Sequence, residues 1–219
     1  MRPGEDVRIS DGSGRVFLCC ISAYEEKTAV LDILKELDAD TELPSKITLF
    51  LGLPKGDKMD WIVQKAVELG AYSVVPFAAG RSIVKLDEKK AKKRQERWQL
   101  IAKGAAEQSG RGLIPEVQQV KTFPEALKMA SGLDVVLIPY ELAEGMDKTA
   151  RIIEEIRPGQ SVGVFIGPEG GFEEEEIRRA RESGAEPVTL GKRILRTETA
   201  GLSVLSILMY HLESRSHIL

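Results

Sequence analysis

Histidine and cysteine are nearly missing from this chain, and several classes of chemistry go with them. The two histidines, His211 and His217, both stand close to the C-terminal end. The body of the chain therefore holds no Ser-His or Cys-His nucleophile pair and no Cys/His zinc spacing, and no metal is expected. The two cysteines are the neighbours Cys19 and Cys20. Successive residues of a strand point to opposite faces, so these two are badly placed to bridge each other, and a reducing compartment is expected. No apolar run approaches the roughly 18 residues that a membrane span needs. The first residues, Met1-Arg2-Pro3-Gly4-Glu5-Asp6, lack the apolar core of a signal peptide, which points to a cytoplasmic location. Aromatic residues make up 5% of the chain, too few for a base-stacking platform.

What remains is the composition of an ordinary globular protein: 219 residues, 42% hydrophobic and 30% charged. That length suits one large domain, or one medium and one small. Val7 and Ile9, then Arg15 to Ile21 after an Asp11-Gly12-Ser13-Gly14 turn, then Thr28 to Leu34, alternate as short strands and predict a small antiparallel β-barrel. The polar stretch Asp38 to Pro44 ends in proline, and dividing the chain there gives domains 1–43 and 44–219. From Lys46 onward apolar runs alternate with helical periods. Strands are predicted at Ile47 to Leu53, Ser73 to Phe77, Asp134 to Pro139, Ser161 to Ile166 and Pro187 to Leu190. Helices are predicted at Asp57 to Leu69, Asp87 to Glu107, Met146 to Ile156, Glu173 to Ser183 and Thr197 to Leu212. Such alternation predicts an α/β domain with a mostly parallel sheet covered on both faces. Ligands of these sheets bind at the carboxyl ends of strands, so the loops after Leu137, Ile166 and Leu190 belong to one site.

The strand Ser161 to Ile166 breaks into Gly167-Pro168-Glu169-Gly170-Gly171. Three glycines in so short a loop imply tight turns and room for a ligand against the main chain. Phosphate is disfavoured, because neither glycine-rich phosphate spacing is present and Glu169 with Glu173 to Glu176 crowds the place. A neutral or cationic ligand fits better. The run Glu173 to Glu176 also suits a first helical turn, with Glu174–Arg178 and Glu175–Arg179 as i,i+4 pairs.

Gly167-Pro168-Glu169-Gly170-Gly171, followed by Leu190-Gly191-Lys192-Arg193-Ile194-Leu195-Arg196-Thr197-Glu198-Thr199-Ala200, resembles the final two motifs of the SPOUT methyltransferases. Within that superfamily the likeness is to the enzymes that methylate N3 of a uridine in 16S ribosomal RNA. The resemblance implies a deep trefoil knot that holds S-adenosylmethionine in a bent shape, a homodimer, and the small ribosomal subunit or its RNA as partner. Pro139 and Tyr140, Ile166 with the loop Gly167, Pro168, Glu169, Gly170 and Gly171, and Leu190, Gly191, Ile194, Leu195, Arg196, Thr199 and Ala200 are then cofactor-binding. It also implies an N-terminal PUA-like β-barrel. The family's first strand has no counterpart before Met1, so the barrel is expected to lack it. In catalysis, Arg196 would stabilise charge on a uracil oxygen and Glu198 would orient the imide proton or accept it. Two other roles stay open: Arg196 holding a phosphate or the cofactor carboxylate, and Glu198 fixing backbone N–H groups of the knot. An RNA-binding or ribosome-assembly factor without turnover, and a SPOUT enzyme acting on tRNA, are the alternatives.

Charge is distributed unevenly. Nine basic and three acidic residues lie between Arg81 and Lys103, giving that segment +6 in a chain of net charge −3. The segment is a solvated face or a surface for RNA phosphates, with Arg81, Lys89, Lys90, Lys92, Lys93 and Arg97 as the contacts. In the block Pro54 to Gly70, which matches the family, Lys58 and Lys65 share the polar side of a helix whose apolar stripe is Met59, Ile62, Val63, Ala66 and Leu69. Lys58 and Lys65 are candidate RNA contacts, and Lys65 with Glu68 is equally a surface pair. Gln108 and Arg111 stand at a helix end stopped by Gly110, in the family's E-Q-x-x-R pattern, and are candidate substrate contacts. Leu202, Val204, Leu205, Ile207, Leu208 and Met209 make the last helix apolar around most of its circumference, with small Gly201, Ser203 and Ser206 between them.

Overall fold

The computed structural model describes residues 1–38, 40–81, 87–143 and 145–216. Lys85 of the basic segment and His217 lie outside the described residues. Two compact units are present, one made of 1–42 with 106–114 and the other of 43–105 with 115–219.

The first unit is an antiparallel meander of β1 (Asp6–Ser10), β2 (Val16–Glu25) and β3 (Thr28–Leu37). Its first turn is closed by Asp11, which accepts hydrogen bonds from the Ser13 N–H at 2.9 Å and hydroxyl at 2.8 Å, and from Arg15 Nε at 2.9 Å. These donors, Ser13 first, hold the Asp11 carboxyl well below the usual carboxylate range. Residues 106–114 are stitched to the same turn. Ser10 Oγ donates to Gly112 O at 2.5 Å, and Ile114 N to Gly12 O at 3.0 Å.

The second unit carries β4 (Lys46–Gly52), α1 (Lys58–Glu68), β5 (Ser73–Ala78), α2 (Glu88–Ser109), β6 (Glu116–Val117), β7 (Lys121–Thr122), α3 (Phe123–Ala130), β8 (Val135–Pro139), α4 (Met146–Glu155), β9 (Ser161–Ile166), α5 (Glu174–Glu182), β10 (Glu186–Val188) and α6 (Thr197–Ser216). The last turn of α2 falls in the segment 106–114. The strands form one sheet of order β10-β8-β9-β4-β5-β6, with β7 also on β5, and every pairing is parallel. No helix of the described residues is long and apolar enough to cross a membrane.

Because helices cover both faces, the central strands bury nearly every side chain: Ile47, Leu49, Phe50 and Leu51 on β4, and Val162, Val164, Phe165 and Ile166 on β9. One side of the sheet holds an aromatic cluster of Phe50, Phe77, Phe123, Phe165 and Phe172. Phe50 and Phe165 stack with ring centroids 4.3 Å apart.

Two sequence expectations change here. Helix α3 was not among those predicted, although Thr122-Phe123-Pro124-Glu125 spells its start: Thr122 and Glu125 form a capping box with proline in the first turn. The Glu174–Arg178 pair is replaced. Arg178 instead grips Glu175 at 2.6 Å and also pairs with Glu182, while Glu175–Arg179 forms as expected at 2.9 Å.

Candidate active site

Three neighbouring parallel strands, β9, β8 and β10, end at one edge of the sheet, and the loops that leave them meet around a cavity of about 470 Å³. That volume is in the range of small-molecule sites. Pro139, Tyr140 and Glu141 come from the loop after β8; Ile166 to Phe172 end β9 and form the loop beyond it; Thr189 to Leu195, apart from Lys192, come from the loop after β10. Arg196, Thr197 and Ala200 add the start of α6, and Lys58 reaches in from the first turn of α1. The backbone is fixed from behind: Tyr140 N donates to Val188 O at 3.0 Å, and Thr189 N to the buried Thr149 hydroxyl at 3.0 Å. Gly171 (φ +68°) and Gly191 (φ +109°) adopt the left-handed backbone that the two turns require.

The wall is more apolar than the sequence suggests. Ile166, Leu190, Ile194 and Leu195 face a floor of glycines, and the acidic run does not crowd it. Glu173 caps α5, while Glu176 is buried and accepts from Gly80 N and Glu173 N, each at 2.9 Å. Both line a separate depression with Thr122 and Phe123. The helix start explains this, because its first N–H groups need acceptors and the run supplies them.

Glu169 is the acidic residue of the glycine loop that stays at the cavity, and its carboxylate is engaged. It accepts from Lys55 N at 3.0 Å and from Lys58 Nζ at 3.1 Å. Burial pushes its pKa up, but hydrogen bonds from its own backbone, from Lys55 and from Lys58 outweigh that and hold it below the usual range. Lys58 is raised in turn, chiefly by its hydrogen bond to Glu169.

Of the expected cofactor residues, Pro139, Tyr140, Ile166, Gly167, Pro168, Glu169, Gly170, Gly171, Leu190, Gly191, Ile194, Leu195, Arg196 and Ala200 all line this cavity. Thr199 does not; it is exposed on the outer side of α6. Glu198 is also off the wall, and its Oε2 meets the site through Lys58 Nζ at 3.5 Å. Glu198 therefore reaches the site through Lys58 rather than from the cavity wall. Glu141, which follows Pro139 and Tyr140, lines the cavity too, and so do Phe172, Thr189, Arg193 and Thr197, to which no role was given. Arg193 and Thr197 stand inside the second motif, and Phe172 and Thr189 directly flank the two motifs, which was the available signal.

The expected RNA contacts disperse. Lys58 is at the cavity, and Lys65 is held by both carboxylate oxygens of Glu68 at 2.8 Å. Arg81 Nη1 donates to Gly170 O at 3.1 Å, which sets it against the glycine loop. Lys89, Lys90, Lys92 and Lys93 are exposed on the first turns of α2, and Arg97 pairs with Asp60, which also accepts from Trp98 Nε1 at 3.1 Å. At 100° per residue Lys89, Lys90, Lys92, Lys93 and Arg97 spread over an arc of about 160°, rather than a narrow stripe. Gln108 is exposed. Arg111 is corrected: its side chain is 3% exposed and is bound to Glu42, which also accepts from Leu113 N at 3.3 Å, so it belongs to the interior of the first unit.

A family model of the RNA methyltransferase domain matches residues 41–209. The ribosomal RNA small subunit methyltransferase E of Bacillus subtilis is 39% identical over 94% of this chain and 85% of its own length. The enzyme of that name from Aquifex aeolicus is 32% identical over 90% of this chain and 82% of its own. A crystal structure of the ribosomal RNA small subunit methyltransferase E of Neisseria gonorrhoeae, bound to S-adenosylmethionine, superposes with a TM-score of 0.83 at 38% identity, covering 96% of this chain and 84% of that one. A domain match of this extent, with identities of 39% and 32% over nine-tenths or more of the chain, means that the chain belongs to the RNA methyltransferase family, alongside the ribosomal RNA small subunit methyltransferases E.

Proposed function

We propose that this protein methylates N3 of a uridine in 16S ribosomal RNA of the small subunit, using S-adenosylmethionine. The convergence of the loops after β8, β9 and β10 on one apolar, glycine-floored cavity carries the reading. An adenosine ring needs a flat apolar slot, and Ile166, Leu190, Ile194 and Leu195 beside Gly167 and Gly191 fit that requirement. When bound there, the cofactor supplies a methyl group activated on a sulfonium. The chain itself has modest tasks. It aligns the two partners and stabilises the negative charge that develops on the uracil oxygens as the imide proton leaves. Arg196, on the cavity wall and with its side chain exposed, is the donor assigned to one of those oxygens.

In finer detail, we read the loops 167–171 and 190–196 with α6 as a trefoil knot. The chain leaves β10 at the sheet edge and returns as α6 onto β9, α1 and α4, which supports this. Residues 1–43 are read as a PUA-like β-barrel joined to a methyltransferase domain at 44–219, the meander β1-β2-β3 being the support for the barrel. A homodimer formed through α6 is supported by Ile207 and Tyr210, which stay 42% and 74% exposed. Gly201, on the same helix, faces Ile166 in the interior.

The deciding experiment is transfer of labelled methyl to purified small-subunit RNA, followed by nucleoside mass spectrometry. N3-methyluridine formed only in the presence of the protein is the expected result. Cofactor binding without any methylated nucleoside would instead identify an RNA-binding factor that keeps the fold.

A further inference from the structure

Removing the N3 proton of uracil leaves negative charge shared by two carbonyl oxygens, one on each side of the nitrogen. A site built for that anion needs two donors, and Arg196 accounts for one. Among the described residues, three long cationic side chains line the cavity: Lys58, Arg193 and Arg196. Arg193 and Arg196 are exposed, whereas Lys58 is held in place. Its ammonium lies 3.1 Å from Glu169 Oε1 and 3.5 Å from Glu198 Oε2.

The second carboxylate is the informative one. Glu169 already accepts from Lys55 N at 3.0 Å, so the glycine loop is fastened to the turn before α1 without help from Glu198. Glu198 Oε2 is buried and has no hydrogen-bond donor among the described residues within good geometry. Lys58 at 3.5 Å is its charged neighbour. A buried, under-served carboxylate oxygen is costly for the fold, and the cation beside it is the Lys58 ammonium. An ammonium has three N–H donors; Glu169 accepts from one, which leaves donors for a ligand.

Resting on the uridine-N3 reading above, we infer that Lys58 is a catalytic residue whose ammonium donates to the uracil oxygen opposite the one served by Arg196, with Glu198 as its positioning residue. In that step the N3–H bond breaks and the proton passes to water. The N3 electron pair forms the new N–C bond, and the pair of the breaking C–S bond stays on sulfur. Lys58 remains protonated throughout, kept so by Glu169 and Glu198; Glu141, Arg193 and Arg196 are the other charged groups of the wall.

The test is single-turnover methyl transfer to small-subunit RNA at saturating cofactor, from about pH 6 to about pH 10, for the wild type, Lys58→Met and Lys58→Arg. Lys58→Met is expected to be slower by roughly a hundredfold or more at neutral pH, with cofactor and RNA affinities within about threefold of wild type. Its rate should recover as rising pH ionises the imide. It should also recover in part on RNA transcribed with 5-fluorouridine, whose imide proton is more acidic. Lys58→Arg, which keeps a cation, should fall between the two, and thermal melting of all three checks the fold. A Lys58→Met rate equal to wild type, or a defect confined to cofactor or RNA affinity, overturns the inference. So does a rate defect that neither alkaline pH nor 5-fluorouridine relieves. If the wild type itself makes no N3-methyluridine, the functional reading has failed; if the wild type is active and Lys58→Met is indifferent, only the role of Lys58 has failed.

Discussion

Gly52 and Pro168 approach so closely that no side chain fits between them: a β-carbon on Gly52 would lie 2.7 Å from both the nitrogen and Cδ of Pro168. Gly52 ends β4, and Pro168 is the second residue of the glycine loop. The sheet thus sets the height of the cavity floor at this contact. Gly52→Ala has to push the loop outward, and overpacking of this kind costs about 1–3 kcal/mol. Affinity for S-adenosylmethionine is expected to fall about 10- to 100-fold in calorimetry while the protein stays folded. Unchanged affinity would mean that the loop after β9 does not floor the cofactor site.

Arg196→Lys keeps a positive charge but loses the planar fork of donors. The loss of one transition-state hydrogen bond costs about 3–4 kcal/mol, so single-turnover methyl transfer should drop about a hundredfold to a thousandfold with cofactor affinity largely kept. The opposite pattern, weak cofactor binding with a normal rate at saturation, would make Arg196 a cofactor ligand.

On α2, replacing Lys89, Lys90, Lys92 and Lys93 together by glutamate should weaken RNA binding and flatten its dependence on salt, with the cofactor bound as before. All four are exposed and, among the described residues, Lys90 alone of the four has a close acidic neighbour, Asp87 at 3.0 Å, so the fold should tolerate the change. An unaltered salt slope would leave these lysines as an ordinary solvated face.

Sedimentation provides the check on assembly. The chain of 24.1 kDa is expected to run as a dimer at micromolar concentration, and the double change Ile207→Glu with Tyr210→Glu to run as a monomer. A wild type that is monomeric under those conditions removes α6 as an interface.

Acid should act on α5. Hydrogen bonds from Arg178 and then Arg179 lower the Glu175 pKa from 4.5 to about 2. A depressed carboxylate stabilises the fold above its unfolded value and loses that contribution as pH falls through its folded value. The melting temperature of Glu175→Gln should therefore lie slightly below wild type at neutral pH and converge with it between about pH 4.5 and about pH 2. Because these groups are exposed, added salt should shrink the difference. A constant offset across that range would show that Glu175 acts through something other than its charge.

Much of this architecture was legible from period and punctuation. The runs Ile47 to Leu53 and Ser161 to Ile166 are apolar without alternation, and both prove to be central strands covered on two faces. The two glycine-bearing motifs likewise marked loops that share one cavity. What resisted reading was direction. A sequence places Glu198 and Arg196 two positions apart but does not say that one faces the cavity and the other Lys58. Nor does it say that Arg111 turns inward to Glu42, a partner far away in the chain. The acidic run after Gly171 misled for the same reason, since helix α5 claims Glu173 and Glu176 for its own first turn.

The place of β4 in the sheet has a consequence for synthesis of the protein. Its one edge pairs with β5, the next strand to be made, but the other waits for β9, with Lys46 opposite Ser161 and Leu51 opposite Ile166. Strand β9 leaves the ribosome roughly a hundred residues later, which at about 5–20 residues per second keeps that edge open for roughly 5–20 s. Through that interval a strand containing Ile47, Leu49, Phe50 and Leu51 stands unpaired on a nascent chain that has not yet made the loops of its binding site. Chaperone contact should therefore concentrate on this stretch and end when the C-terminal third has emerged.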